Sequence, residues 1–135
     1  MKAALSMPKA LMELYDQLAE LGEDIDQVAA ESLDAGADVV LAGMKKRVAV
    51  DTGDLKDQLK KGKVKRDGNV TMIEIGQVGE DSKISPQDAI KANVNEFGSS
   101  SMKAQPFVRP TMTEDKSKIN KAMRKPFIDR GIVEK

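Results

Sequence analysis

From Ile25 to Val48 apolar residues return every three or four positions. Ile25, Val28, Ala29, Leu33, Val39, Val40, Met44 and Val48 fall on one side of a helix, with Gln27, Glu31, Asp34 and Asp38 on the other. A stripe of that length commits the chain to a long amphipathic helix and to some second layer that covers its apolar side. Lys45, Lys46 and Arg47 sit in the last turn, where cations favour the helix dipole. Gly36 and Gly43 fall seven residues apart on the apolar side. Each weakens a helix interior by about 1 kcal/mol relative to Ala, so the spacing predicts close approach of another backbone. A shorter helical pattern precedes this one through Leu11, Leu14, Tyr15, Leu18 and Leu21, with Ser6 as its expected cap, Pro8 in its first turn and Gly22 ending it.

The chemistry open to this chain is narrow. Its 135 residues include no Cys and no His. That removes disulfides, thiolate nucleophiles, the commonest metal ligands and the one side chain that titrates near neutrality. With Phe97, Phe107, Phe127 and Tyr15 as the aromatics and no Trp, the core rests on Leu, Ile, Val, Met and Ala. A domain of this size buries roughly two-thirds of its unfolded surface, so a single fold over 1–135 is expected. No apolar run approaches a membrane span and no secretory pattern opens the chain, which points to a product made in the cytoplasm. Neither a catalytic group, a metal nor a cofactor is expected.

Beyond the long helix, Val50-Asp51-Thr52-Gly53-Asp54-Leu55 reads as a capping turn, with Leu55 and Leu59 continuing as one short helical turn. Lys61 to Arg66 and Val70 to Val78 read as two strands about a turn at Asp67-Gly68-Asn69, the second placing Ile73 and Ile75 on one face. Gly79 to Pro86 reads as a polar loop. Asp88 to Phe97 is expected as a short helix stopped by Gly98. Pro106 and Pro110 push their predecessors toward extended geometry. A last helix then starts near Thr111, capped with help from Glu114, and is interrupted by Pro126.

Two motifs carry a chemical reading beside a plain one. Asp51-Thr52-Gly53 has the letters of the aspartic-peptidase tripeptide, but it follows a helix rather than a strand, and Asp54 stands where a small residue packs in those enzymes. A capping turn is the better account. The basic run Lys60 to Arg66 lacks phosphate-loop spacing and has no interleaved aromatic for base stacking, so a lysine-protected sheet edge explains it better than a nucleic-acid site.

Three segments, in order, resemble the phage tail-component family typified by the tenth gene product of an HK-type lambdoid phage. They are Val50 to Leu55 after the long helix, Ala92-Asn93-Val94-Asn95-Glu96-Phe97-Gly98-Ser99, and Met102 to Pro110 with its Pro106-Phe107-Val108-Arg109-Pro110 core. The chain departs from the pattern at Lys91, Ser99 and Asp54. The resemblance implies an α+β fold in which a long N-terminal helix or helix pair packs on a small antiparallel sheet, with a C-terminal helix. Helices are expected over 1–50, sheet and loops over 51–110, and the C-terminal helix and tail over 111–135.

The resemblance further implies a virion subunit, made in the host cytoplasm, that forms a ring of six copies between head connector and tail tube. Neighbouring neck, terminator and tail-tube proteins are the implied partners, and DNA passes through without specific binding. A tail terminator ring is the second structural reading and a small nucleic-acid-binding module the reading of another class. The motif residues Asp51, Thr52, Gly53, Leu55, Glu96, Phe97, Gly98, Pro106, Phe107, Arg109 and Pro110 are the assembly candidates. Gly53 and Gly98 are expected to reverse the chain, Phe97 and Phe107 to anchor extended segments in the core, and Arg109 to pair with Glu96 or a neighbour's acid. The loops at Asp51–Leu59 and Gly79–Pro86 are expected to order on assembly. The 22 basic and 22 acidic residues are segregated along the chain, with acids before Met44 and bases after Lys61. That segregation makes a head-to-tail contact between acidic and basic faces a further expectation.

Overall fold

The structure, a computed structural model, describes residues 1–48, 54–67, 70–78 and 84–132. It opens on a strand, β1 (Lys2–Ser6), then two short helices, α1 (Lys9–Met12) and α2 (Tyr15–Glu20), and the long α3 (Ile25–Arg47). After α4 (Asp54–Gln58) come β2 (Lys60–Lys61), β3 (Lys65–Asp67) and β4 (Val70–Gly76). Three helices follow: α5 (Pro86–Phe97), α6 (Val108–Glu114) and α7 (Lys116–Asp129). The result is the expected α+β fold, a long helix on a small antiparallel sheet with a C-terminal helix against it.

β4 is the spine of the sheet. β1 pairs antiparallel along one side of it, from Lys2 opposite Gly76 to Ser6 opposite Met72. β2 and β3 pair with opposite ends of its other side. The single strand expected over Lys61 to Arg66 is therefore broken at Gly62–Val64, although the Gly62 N–H still donates to the Glu74 carbonyl at 2.8 Å. The turn at residues 68–69 lies outside the described residues. Ile73 and Ile75 point inward as their alternation requires, and Ala3 and Leu5 of β1 and Met7 just after it are buried with them.

Ser6 is thus a strand residue and not a helix cap. The Leu11–Leu21 pattern is realised as two short helices rather than one, with Leu11 and Leu18 buried.

α3 lies across the sheet with α7 beside it, and Val28, Leu33, Val40 and Met44 are fully buried between them. Its start is capped by the Asp24 carboxylate, which accepts the Asp26 and Gln27 N–H groups. The two helix glycines do mark close approach, but of side chains rather than backbone. A Cβ on Gly36 would lie 2.6 Å from Met123 Cγ and 2.8 Å from Leu5 Cδ2, and one on Gly43 would lie 2.7 Å from Thr111 Cγ2. Each glycine therefore lets the C-terminal helices sit a methyl group closer than Ala would permit.

The acidic face of α3 and Glu23 just before it are paired within the chain. Lys61 bridges Asp34 and Asp38 at 2.7 Å each, Arg130 bridges Glu23 at 3.3 Å and Glu31 at 2.6 Å, and Arg66 lies 3.6 Å from Asp26. The segregation of charge along the sequence therefore becomes intramolecular pairing in space. A head-to-tail contact cannot draw on this face as a block of free acid.

Leu55 in α4 and Leu59 just after it are buried in the core, so the part of the Asp51–Leu59 segment that is described is a short packed helix and its end rather than a loop. Pro126 does not interrupt the last helix. It lies buried inside α7, which runs on to Asp129, and the Ser32 hydroxyl donates to the Met123 carbonyl at 2.6 Å just upstream.

Candidate assembly site

The second and third sequence motifs meet in space. α5 begins with Pro86 at its first position and the Ser85 hydroxyl accepting the Asp88 N–H at 3.1 Å. It ends at Gly98, whose φ of +79° belongs to a glycine and whose Cβ position would lie 3.0 Å from the Ala104 nitrogen. The chain reverses there and returns antiparallel to the end of α5, the Gln105 N–H donating to the Asn95 carbonyl at 2.7 Å. Phe107 then drops into the core, fully buried.

At this crossing Glu96 reaches under the start of α6. Its carboxylate accepts the N–H groups of Phe107 at 2.8 Å, Val108 at 2.9 Å and Arg109 at 2.9 Å. A helix start leaves four backbone positions without an internal partner, and since the fourth here is Pro110, which has no N–H, these three are all the free donors of α6; no side chain of α6 itself caps them. Glu96 is a cap supplied from another helix. The Arg109 guanidinium closes the clasp, donating through Nε to Glu96 Oε1 at 3.3 Å and through a terminal nitrogen to the Glu96 carbonyl at 3.3 Å. Glu96 is only 1% exposed, and burial on its own would raise its pKa. The N–H groups of Val108, Arg109 and Phe107 and the Arg109 side chain outweigh that and hold the carboxyl below its ordinary value.

Three corrections follow. α6 starts at Val108 and takes in Arg109 and Pro110, where an extended stretch was expected, because the carboxylate organises the first turn before Pro110 is reached. Thr111 is not a cap partnered by Glu114: its hydroxyl donates to the Phe107 carbonyl at 2.7 Å. Phe97 is the larger correction. It does not anchor the core but stands 62% exposed, with Arg109 Cζ 5.3 Å from its ring centroid.

The motif therefore divides its labour. Glu96 faces inward and holds α6, Phe97 faces outward, Gly98 turns the chain, and Phe107 fastens the returning segment. Pro106 and Pro110 are half-buried flanks of that segment. Leu55 belongs to the core, and Asp51, Thr52 and Gly53 lie outside the described residues.

A second tie went unseen in the sequence. Arg47, at the end of α3, grips the α6–α7 junction, donating to Asp115 through both terminal nitrogens at 2.7 and 3.1 Å and to Glu114 at 3.1 Å. The Arg47 hydrogen bonds hold the Asp115 carboxyl below its ordinary pKa. A pairing across 68 residues leaves no mark in local spacing, so only the fold reveals it.

What this arrangement does is hold chain segments together. Among the described residues no three His, Cys, Asp or Glu converge as a metal site, and no helix is long and apolar enough to cross a membrane. No curated protein and no solved structure matches the chain. One family model does, that described as "Bacteriophage HK97-gp10, putative tail-component", over residues 12–98. The matched span takes in α3 and the Glu96-Phe97-Gly98 motif and ends where the chain turns back toward Pro106. By this match, which covers well over half its length, the chain belongs to the HK97-gp10-like family of bacteriophage tail components.

Proposed function

We propose that this tail component is a non-enzymatic ring subunit that completes the tail at the head–tail joint, six copies linking the head connector to the tail tube. The family match is the observation that carries the reading. The clasp supports it: the residues of the second and third motifs are spent on tying α5 to α6 and on presenting Phe97 and Arg109 outward, which suits a subunit whose work is contact with other protein. Neck, terminator and tail-tube proteins are the partners this role implies. DNA would pass through the ring without base-specific contact.

The exposed face of α7 carries Lys116, Lys118, Lys121, Arg124 and Lys125, none of them in an ion pair among the described residues. This face is the specific observation that keeps a nucleic-acid-contacting role as second reading. Native mass spectrometry of the purified protein over a range of concentrations tests the first. A discrete closed species, with six copies expected, agrees with it. A monomer at every concentration whose affinity for duplex DNA falls steeply with salt would replace it with the second.

A further inference from the structure

Two exposed features of this chain complement one another. The first is a knob. Ile90 and Phe97 lie two turns apart on the outer side of α5, 61% and 62% exposed. Arg109 stacks over the Phe97 ring while Glu96 holds the guanidinium from its inner side. An aromatic ring and a cation are thereby fixed in place before any partner arrives, and these are the side chains on which interface energy concentrates. Lys91 and Lys103, both exposed, add positive charge on the same helix and on the returning segment.

The second feature is a groove of about 600 Å³ where the ends of β1 and β4 meet α1, α2 and the start of α3. Met12, Tyr15 and Val70 give it an apolar lining; of its three acids Glu23 is bridged by Arg130 and Asp26 lies 3.6 Å from Arg66, which leaves Asp24 without a cation among the described residues and the groove acidic on balance. Among the described residues Met12 and Val70 are 43% and 46% exposed, large apolar side chains left partly open to solvent. The volume falls in the range of about 300–1,000 Å³ that buries a ligand-sized group.

We propose that the knob of Phe97, Ile90 and Arg109 on one copy seats in the Met12–Val70 groove of the next, the Phe97 ring against the apolar lining and Lys91 and Lys103 toward the side of the groove that is acidic on balance. This rests on the ring reading above and names its interface. Knob and groove share no residue, so the contact is head-to-tail and leaves each copy with one of each still open. Such a contact propagates and closes into a ring when the rotation per step permits. A two-fold dimer would instead bury one patch against itself.

The absence of Cys makes the test clean. Phe97→Cys protein is mixed with Val70→Cys or Met12→Cys protein under mild oxidation, and Phe97→Asp is compared with the unchanged chain by native mass spectrometry. All three positions are exposed, and unchanged circular dichroism establishes that the four variants fold. The expected result is a covalent dimer from each mixture, none from a single variant alone, and an oligomer of Phe97→Asp weakened at least about 30-fold. Rings that form without the cross-link and survive Phe97→Asp overturn this interface and leave the ring reading intact. A chain that stays monomeric overturns both. If it stays monomeric while Phe97→Asp blocks the joining of heads to tails, the knob belongs to a different tail protein and the self-contact is wrong.

Discussion

Glu96→Ala is expected to lower the unfolding free energy by about 3–4 kcal/mol, read as a lower midpoint with unchanged slope in urea denaturation. The carboxylate serves three backbone donors, of which the Phe107 N–H is buried and those of Val108 and Arg109 are partly so. A buried donor left without a partner costs about 1–3 kcal/mol, and the two half-exposed ones recover part of theirs from water. For a domain whose whole stability is about 5–15 kcal/mol, that is a large share.

The same group gives a pH dependence of known sign. Its native pKa lies below the ordinary glutamate value of about 4.3, so as the pH falls the unfolded chain takes up the proton first. The stabilisation is complete above that ordinary value and is lost as the pH drops through the native one. Glu96→Gln should therefore flatten the acid limb of the stability profile while leaving the alkaline side parallel to that of the unchanged protein.

Phe107→Ala should cost about 3–5 kcal/mol, the usual range for deleting a fully buried ring. Unlike the loss at Glu96, it should be independent of pH. The two positions also act on one segment. With Phe107 gone the start of α6 loosens and its N–H groups reach water, so the double variant should lose less than the sum of the single losses, by about 1–2 kcal/mol. Additive losses would mean that α6 is held by contacts other than this clasp.

The elements most legible in the sequence are those whose signal repeats. α3 declares itself through six turns of apolar spacing, and β4 through the alternation that buries Ile73 and Ile75. β1 does not, because Ala3 and Leu5 are only two inward positions and Pro8 immediately downstream reads equally well as the start of a helix. The break at Gly62–Val64 is illegible for a similar reason: the four lysines and one arginine from Lys60 to Arg66 follow no period.

The site was legible as letters and not as roles. Glu96, Phe97 and Gly98 stand together in the sequence, and only the helix register decides that Glu96 faces the core and Phe97 the solvent. A phenylalanine is ordinarily assigned to the interior. Here the interior position is taken by a carboxylate, because the N–H groups of a later helix come to meet it. The same tertiary meeting explains why Val108 to Pro110 turn helical although Pro110 disfavours helix at Arg109.

The account holds that this chain exists to join protein to protein at the end of a phage tail. Disrupting its gene in the phage that encodes it, and imaging the lysate by electron microscopy, tests that most directly. The account predicts DNA-filled heads and separate tails, with joined particles restored when the unchanged protein is supplied. Intact virions at the usual yield from the disrupted phage would contradict it.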